Sequence, residues 1–206
     1  MKIMLDCSPA KIAEYSSRYN HEFWQLRTPL TAYKLAGVPY GLDNGCFNFS
    51  NFDEKTWRRL VDEVSRNDCK FITTPDMVGD AIRTMDLYHH YKRRLHGLPT
   101  CLVLQDGIGQ LQIPWHELAA VFVGGSDRFK VSTEAMNACL VAKMLGKWVH
   151  VGRVNGAERV HYWKGIADSI DGSGVSRFDE RLETVLEAIR DDHPQNVMFP
   201  IAGVSA

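Results

Sequence analysis

Short apolar runs recur along the chain, and each is followed by a polar or glycine-containing turn and then by a stretch of helical periodicity. Strands that are apolar throughout and separated by helices are typical of a parallel sheet. Seven runs are predicted as strands, at residues 2–5, 40–42, 71–74, 101–105, 120–124, 148–151 and 169–170.

Three of the intervening segments have apolar residues at the spacing of one helical face, and such a face is expected to pack against the core. The first segment follows a capping pair of Asn51 and Glu54, and the second is opened by Ser132. The predicted core residues are Trp57, Leu60, Val61 and Val64 in the first, Met136, Leu140, Val141 and Met144 in the second, and Leu182, Val185, Leu186 and Ile189 in the third.

The strand–helix alternation predicts an α/β fold, a compact (β/α)8 TIM barrel that forms a single domain over residues 1–206. The eighth strand is left open between residues 197–201 and a piece near residues 23–26, so an irregular or missing eighth unit stays open as well. The alternative is a doubly wound open sheet. A chain of 206 residues is near the lower end of the size range of such barrels.

Composition and charge exclude several classes of protein. No run of eighteen apolar residues is present, so no membrane span is predicted, and Asp6 comes too early for a signal peptide, which favours a cytoplasmic protein. The net charge of −1 argues against nonspecific coating of DNA. The five cysteines are scattered, which argues against a disulfide framework and a zinc site, so neither a metal nor a cofactor is predicted and most cysteines should be buried.

Polar residues and glycines follow six of the predicted strands directly. In a barrel the carboxyl ends of the strands meet at one mouth, where active sites are built. Each such residue could also be a turn former or a helix cap. The segments are Asp-Asn-Gly at 43–45, Pro-Asp at 75–76, Gln-Asp-Gly at 105–107, Gly-Gly-Ser-Asp at 124–127, Gly-Arg-Val-Asn-Gly at 152–156 and Asp-Gly-Ser-Gly at 171–174.

Converging aspartates suit chemistry at a glycosidic bond. One carboxylate can attack the sugar carbon while a second acid protonates the leaving group. A third carboxylate, with a glutamine and backbone groups, can read the edge of a base, and glycines let a flat ring approach the backbone closely. These features indicate glycosyl transfer or hydrolysis without selecting the substrate.

The same segments resemble motifs of the tRNA-guanine transglycosylase superfamily, and more closely its phage-type branch, the DNA 7-deazaguanine transglycosylases (the DpdA family). Leu-Asp-Asn-Gly-Cys-Phe at 42–47 resembles the superfamily's Asp-Ser-Gly-Gly-Phe segment. Val-Leu-Gln-Asp-Gly at 103–107 resembles its Val-Gln-Gly segment, and Phe-Val-Gly-Gly at 122–125 its Ile-Gly-Gly segment. Asp-Ser-Ile-Asp-Gly-Ser-Gly-Val-Ser-Arg at 168–177 resembles the stretch with the nucleophile. The resemblance covers residues 40 to 178, about two-thirds of the chain.

The resemblance implies that Asp171 is the covalent nucleophile and that Asp43 is the general acid and base, a task that a raised pKa would favour. The implied base-binding residues are Asn44, Phe47, Asp76, Gln105, Gly124, Gly125, Val151 and Gly152. Two structural alternatives remain, because Asp76 after Pro75 could cap the next helix and Phe47 could be a core residue.

The chain departs from the tRNA enzymes, which are much longer and have a zinc subdomain with a Cys-x-Cys-x-x-Cys…His site. Neither that spacing nor that length is present here, which favours DNA over tRNA as the partner. The implied reaction exchanges guanine in DNA for a 7-deazaguanine such as preQ0, within the host cytoplasm if the protein is phage-encoded. The phosphate-binding candidates are Lys130, Arg153 and Arg177.

Several alternatives remain open at this point. A compact tRNA enzyme, a nucleoside or sugar hydrolase, and a noncatalytic barrel subunit would all fit the same pattern, and a homo-oligomer is not excluded. The basic segment at 89–96 is interpreted as a solvated helix end, and His150, which lies within a predicted strand, as a core histidine.

Overall fold

A computed structural model describes residues 1–46 and 52–191 of the protein. Its eight strands form a closed parallel barrel in which each strand pairs with the next in sequence and the last pairs with the first. The closed barrel confirms the predicted fold and excludes the open sheet. The strands are β1 Lys2–Leu5, β2 Trp24–Arg27, β3 Tyr40–Leu42, β4 Cys69–Thr73, β5 Thr100–Leu104, β6 Ala120–Val123, β7 Trp148–Val151 and β8 Ser169–Asp171.

The strand that the pattern left open is β2, close to the candidate at residues 23–26. The other candidate, residues 197–201, lies outside the described residues. All four residues of β2 are buried, including Arg27, which donates to Glu63 Oε2 (2.9 Å) and to the Tyr33 carbonyl (3.0 Å). Because these partners come from elsewhere in the chain, they allow buried polar residues to interrupt the apolar run of this strand.

Six α-helices surround the barrel in the described part of the chain: α1 Pro9–Tyr19, α2 Glu54–Asp62, α3 Ala81–Tyr91, α4 Thr133–Met144, α5 Ala157–Trp163 and α6 Asp179–Arg190. The irregular units follow β2, where residues 28–39 contain no helix, and β5, which is followed by the 3-10 helices Ile108–Gln110 and Trp115–Glu117. The unit of β8 is complete. The sequence left an irregular or missing eighth unit open; in the described residues the units without an α-helix are instead the second and the fifth.

Two of the predicted helical faces agree closely with the structure. In α2, Trp57, Leu60 and Val61 are buried, whereas Val64 lies beyond the helix end and is partly buried. The cap of α2 is the side chain of Asp53, which accepts from Thr56 N (3.0 Å); the prediction of a cap at Asn51 falls on a residue outside the described part. In α6, Leu182, Val185 and Leu186 are buried and Ile189 is partly buried.

The predicted core face of α4 is wrong in part. Ser132 caps this helix as expected, by accepting from Ala135 N (3.1 Å). However, the side chains of Val141 and Met144 are 40% and 86% exposed. The buried face of the helix consists of Ala135, Met136, Cys139 and Ala142. Met136 is thus buried as predicted and Leu140 is partly buried, whereas small residues occupy the rest of the buried face and Val141 and Met144 lie outside it.

All five cysteines are free; four are buried, as predicted, and Cys46 is partly buried. Within residues 1–46 and 52–191, no helix has both the length and the apolar character that crossing a membrane requires.

Candidate active site

A cavity of about 170 Å³ opens at the carboxyl ends of the strands, and the alternation of side chains along each strand determines what lines it. Successive residues of a strand point to opposite faces, so a residue two positions beyond an interior one points to the mouth. Interior residues include Met4, Leu26, Val103 and Phe122. The cavity residues that follow interior positions in this way are Asp6, Thr28, Asp43, Gln105, Gly124, Gly152 and Asp171.

The cavity brings together most of the residues that the sequence singled out. Its lining includes Asp43, Asp76, Gln105, Gly124, Gly125, Lys130, Gly152, Arg153, Asp171 and Arg177. Two predicted base-binding residues do not line it, because Asn44 is buried behind Asp76 and the side chain of Val151 packs in the core outside the barrel. Phe47 lies outside the described residues.

Asp171 ends β8 and presents its carboxylate to the cavity, with 13% of its side chain exposed. The backbone N–H of Arg153 donates to Asp171 Oδ1 (3.0 Å). Arg153 has a φ of 61°, an uncommon conformation for a residue other than glycine. The strained turn after β7 thus aims a backbone donor at this carboxylate.

Asp43 follows β3, and its Oδ1 accepts from Thr73 Oγ1 (3.2 Å). Burial raises the pKa of Asp43 from the ordinary 3.8 to about 6, and the Asp171 carboxylate contributes to that increase. Both Asp43 and Asp171 line the same cavity. A carboxyl group with a pKa near 6 can both donate and accept a proton close to neutral pH.

Asp76 is held by two amides on the wall of the cavity. Asn44 Nδ2 donates to its Oδ1 (2.8 Å), and Gln105 Nε2 donates to its Oδ2 (2.5 Å). Gln105 is fixed in turn, because its Oε1 accepts from Gly79 N (2.9 Å). Burial, with a smaller contribution from Asp43, raises the pKa of Asp76 to about 7.

The structure excludes the alternative role of Asp76 as a helix cap, because Asp80 caps α3 by accepting from Arg83 N (3.0 Å). Each carboxylate oxygen of Asp76 keeps a further lone pair beyond the one that its amide partner uses. Asp76 can therefore accept hydrogen bonds from a ligand in the cavity.

These raised pKa values predict how stability depends on pH. A folded-state pKa above the unfolded value means that the folded protein binds more protons between pH 4 and 7, so stability falls as pH rises through that window. We expect Asp76 alone to cost on the order of 2 to 4 kcal/mol of unfolding free energy between pH 4 and pH 8. Urea unfolding across this range should show the slope, and Asp76→Asn should flatten it.

The matched control is Asp80→Asn, because asparagine is as good a helix cap as aspartate and Asp80 does not line the cavity. That variant should retain the slope of the wild type. Identical slopes for the wild type and Asp76→Asn would contradict a buried Asp76 carboxyl group with a raised pKa.

Glycines keep the floor of the cavity open. A Cβ atom on Gly124 would lie 2.6 Å from Val103 Cγ1 and 2.8 Å from Gln105 Nε2, both of which are too close. Gly125 has a φ of +74°, in the left-handed region that favours glycine. The carboxyl end of β6 therefore has room for a flat ring only because these positions have no side chains.

Gly124→Ala should displace the amide of Gln105 from Asp76 and obstruct the cavity. Overpacking of this kind costs about 1 to 3 kcal/mol of stability. We expect the variant to unfold at a lower temperature. Calorimetry should also show a loss of affinity for the free base that the sequence predicts as the ligand. Gly156→Ala is the control, because a Cβ there meets nothing within 4 Å and the φ of −161° suits any residue. An unaltered affinity in Gly124→Ala would argue against base binding at this floor.

The three predicted phosphate ligands occupy different depths. Arg153 and Arg177 are exposed at the rim, whereas Lys130 is buried and donates to the Gly125 carbonyl (2.6 Å). Lys130 therefore reaches a ligand only from within the cavity. The basic segment at 89–96 includes the end of α3 and the 3-10 helix Lys92–Leu95, which precede β5 and lie at the opposite end of the barrel.

One acidic residue of the site, Asp6, was missed by the sequence interpretation. Asp6 lines the cavity and accepts from Thr31 Oγ1 (2.5 Å) and Thr28 Oγ1 (3.3 Å), and burial raises its pKa. The signal was present, because Asp6 follows β1 directly, as the other aspartates follow their strands. His150, which the sequence interpreted as a core histidine, is fully buried under the cavity, with its Nε2 3.7 Å from Asp171 Oδ2.

Within the described ranges, no three or more His, Cys, Asp or Glu side chains are grouped as they would be around a metal ion. The arrangement instead offers a partly exposed carboxylate, a second carboxyl group poised to exchange a proton, and a third that accepts hydrogen bonds. Neither a family model nor a curated protein matches this chain.

Proposed function

We propose that the protein is a DNA-guanine transglycosylase, a pentosyltransferase that exchanges guanine in DNA for a 7-deazaguanine such as preQ0 through an aspartyl glycosyl-enzyme intermediate. The observation that supports this most strongly is the meeting of Asp43 and Asp171 in one cavity whose wall presents the Asp76–Gln105 pair. The motif resemblance of the sequence points to the same reaction.

In the first half-reaction, the Asp171 carboxylate forms a bond to C1′ of the nucleotide while the bond between C1′ and the base nitrogen breaks. The electron pair of that bond stays on guanine, and Asp43 supplies the proton that neutralises it. In the second half-reaction, Asp43 takes the proton from the incoming base, whose nitrogen then bonds to C1′ and releases Asp171. Atoms and charges balance without a cofactor or an energy source.

Recognition of the base would use the wall and the floor of the cavity. Guanine and 7-deazaguanine share a donor edge, N1–H and the exocyclic amine, that matches the acceptor oxygens of Asp76. A cavity of about 150 Å³ takes up a benzene ring, so about 170 Å³ with an open mouth suits a flat heterocycle whose sugar stays outside. Gly124 and Gly125 would lie against the face or edge of that ring.

DNA is proposed over tRNA because the five cysteines do not have the Cys-x-Cys-x-x-Cys spacing of the zinc site in the tRNA enzymes that the sequence resembles. A guanosine in a duplex must leave the base stack to reach the cavity, at a cost of about a few kcal/mol. Arg153 and Arg177 at the rim are placed to bind the flanking phosphates of an extruded nucleotide.

The test is incubation of the purified protein with radiolabelled preQ0 and, separately, duplex DNA, single-stranded DNA and unmodified tRNA. Label in DNA, with release of one guanine for each base incorporated, is the expected result. Label in tRNA alone would overturn the choice of DNA. Release of guanine without incorporation would replace the proposal by a hydrolase, and no reaction with any substrate would favour a noncatalytic barrel.

A further inference from the structure

His150 occupies the barrel interior directly under the cavity and is fully buried. Its ring lies between Phe71 and Phe122, with centroid distances of 4.8 and 4.6 Å. Both neighbours are apolar, so the polar contacts of the ring are confined to its two nitrogen atoms. Those two atoms face Ser169 on one side and Asp171 on the other.

The hydrogen bonds around Ser169 assign the tautomer of His150. Trp148 Nε1 donates to Ser169 Oγ (2.8 Å), and an indole nitrogen can only donate. His150 Nδ1 is also 2.8 Å from Ser169 Oγ. Among the described residues, Ser169 Oγ contacts only Trp148 Nε1, which must donate, and His150 Nδ1, so the arrangement that uses the hydroxyl hydrogen has the serine donating to Nδ1. The neutral ring then has its own proton on Nε2.

The Nε2 atom is buried and makes no hydrogen bond within the described part of the chain. Its nearest acidic atom is Asp171 Oδ2, at 3.7 Å, which is beyond hydrogen-bonding distance. Asp171 Oδ1 is already occupied by the backbone N–H of Arg153. A small rotation of the Asp171 side chain would bring Oδ2 onto Nε2–H and satisfy both groups.

We propose that His150 is a positioning residue for Asp171, held as the Nε2–H tautomer by Ser169 and Trp148. The backbone N–H of Arg153 and the Nε2–H of His150 then both donate hydrogen bonds to the Asp171 carboxylate, from two directions. This inference rests on the proposed function, in which Asp171 is the nucleophile. When the incoming base bonds to C1′, the bond between C1′ and the Asp171 oxygen breaks and its electron pair returns to the carboxylate. The Nε2–H group stabilises that returning charge, while the proton of the base goes to Asp43.

The activity test compares three variants. His150→Phe keeps the size of the ring but removes the donor, and should lower kcat about 100-fold with little change in the KM for the base. His150→Gln places an amide nitrogen near the Nε2 position and should recover about tenfold of that loss. Ser169→Ala removes the hydrogen bond that fixes the tautomer of His150, and it should lower kcat less than His150→Phe does. Cys101→Ala, another interior truncation, is the control and should leave kcat unchanged.

A second measurement does not depend on turnover. Nitrogen NMR of the wild-type protein should show the His150 proton on Nε2, and Ser169→Ala should shift the ring towards a mixture of tautomers. A proton on Nδ1 in the wild type, or full kcat in His150→Phe, would overturn the proposal. If the wild type exchanges no base but His150 shows the Nε2–H form, the proposed function fails, whereas the tautomer set by Ser169 and Trp148 stands.

Discussion

Asp171→Asn should abolish base exchange, with a loss of roughly 10⁴-fold or more, because an amide cannot form the glycosyl ester. The asparagine has nearly the same shape, and its Oδ1 can still accept from the Arg153 backbone N–H. We therefore expect folding and affinity for the free base to survive. The measurement is incorporation of labelled base, together with mass spectrometry of quenched enzyme for a covalent adduct.

Asp80→Asn is the control for this variant, since it makes the same chemical change at an aspartate that follows β4 but does not line the cavity. It should exchange base at the rate of the wild type and form the adduct. Unchanged exchange in Asp171→Asn would remove this residue from the mechanism, and with it the proposed role of His150.

Asp43→Asn should slow exchange by about 10² to 10⁴-fold, because both half-reactions lose their proton donor or acceptor. The adduct at Asp171 should still form slowly, since the nucleophile is intact. This difference separates the two aspartates, because Asp171→Asn forms no covalent intermediate, whereas Asp43→Asn forms the intermediate more slowly.

The pH dependence of each half-reaction follows from the pKa of Asp43, about 6. Release of guanine requires the protonated acid and should fall as pH rises through 6. Attack by the incoming base requires the ionised form and should rise through the same interval. Single-turnover rates between pH 5 and 8 measure the two limbs, and Asp43→Asn should show neither. Parallel pH profiles for the two half-reactions would contradict a shared acid and base.

The convergence of Asp43, Gln105 and Asp171 could be predicted because it needs only local information. Each follows a short apolar run, and the closure of the barrel brings the ends of those runs to one mouth. Asp6 meets the same criterion and was overlooked, so its omission reflects the interpretation and not a missing signal.

Other features depend on partners that lie far apart in sequence. β2 contains Gln25 and Arg27, which read as polar interruptions, yet Gln25 donates to the carbonyls of Cys7 and Lys34, and Arg27 pairs with Glu63. The exposed Met144 of α4 shows the converse case. This large apolar residue lies outside the core, while smaller residues on the neighbouring face of the helix are buried.

The sequence by itself determined the α/β class and the acidic residues at the strand ends, because both follow from the pattern along single strands and from the order of the strand–helix units. It predicted the barrel with an open sheet as the alternative, and the closed pairing of the strands decided between them. Only the tertiary structure decided which atoms touch. The register of β7 against β6 and β8 places His150 beside Phe122 and Ser169. The segments that follow β3 and β4 bring the Asn44 amide to the Asp76 carboxylate. Such contacts depend on distances between neighbouring strands and loops, which a one-dimensional pattern of apolar and polar residues does not contain.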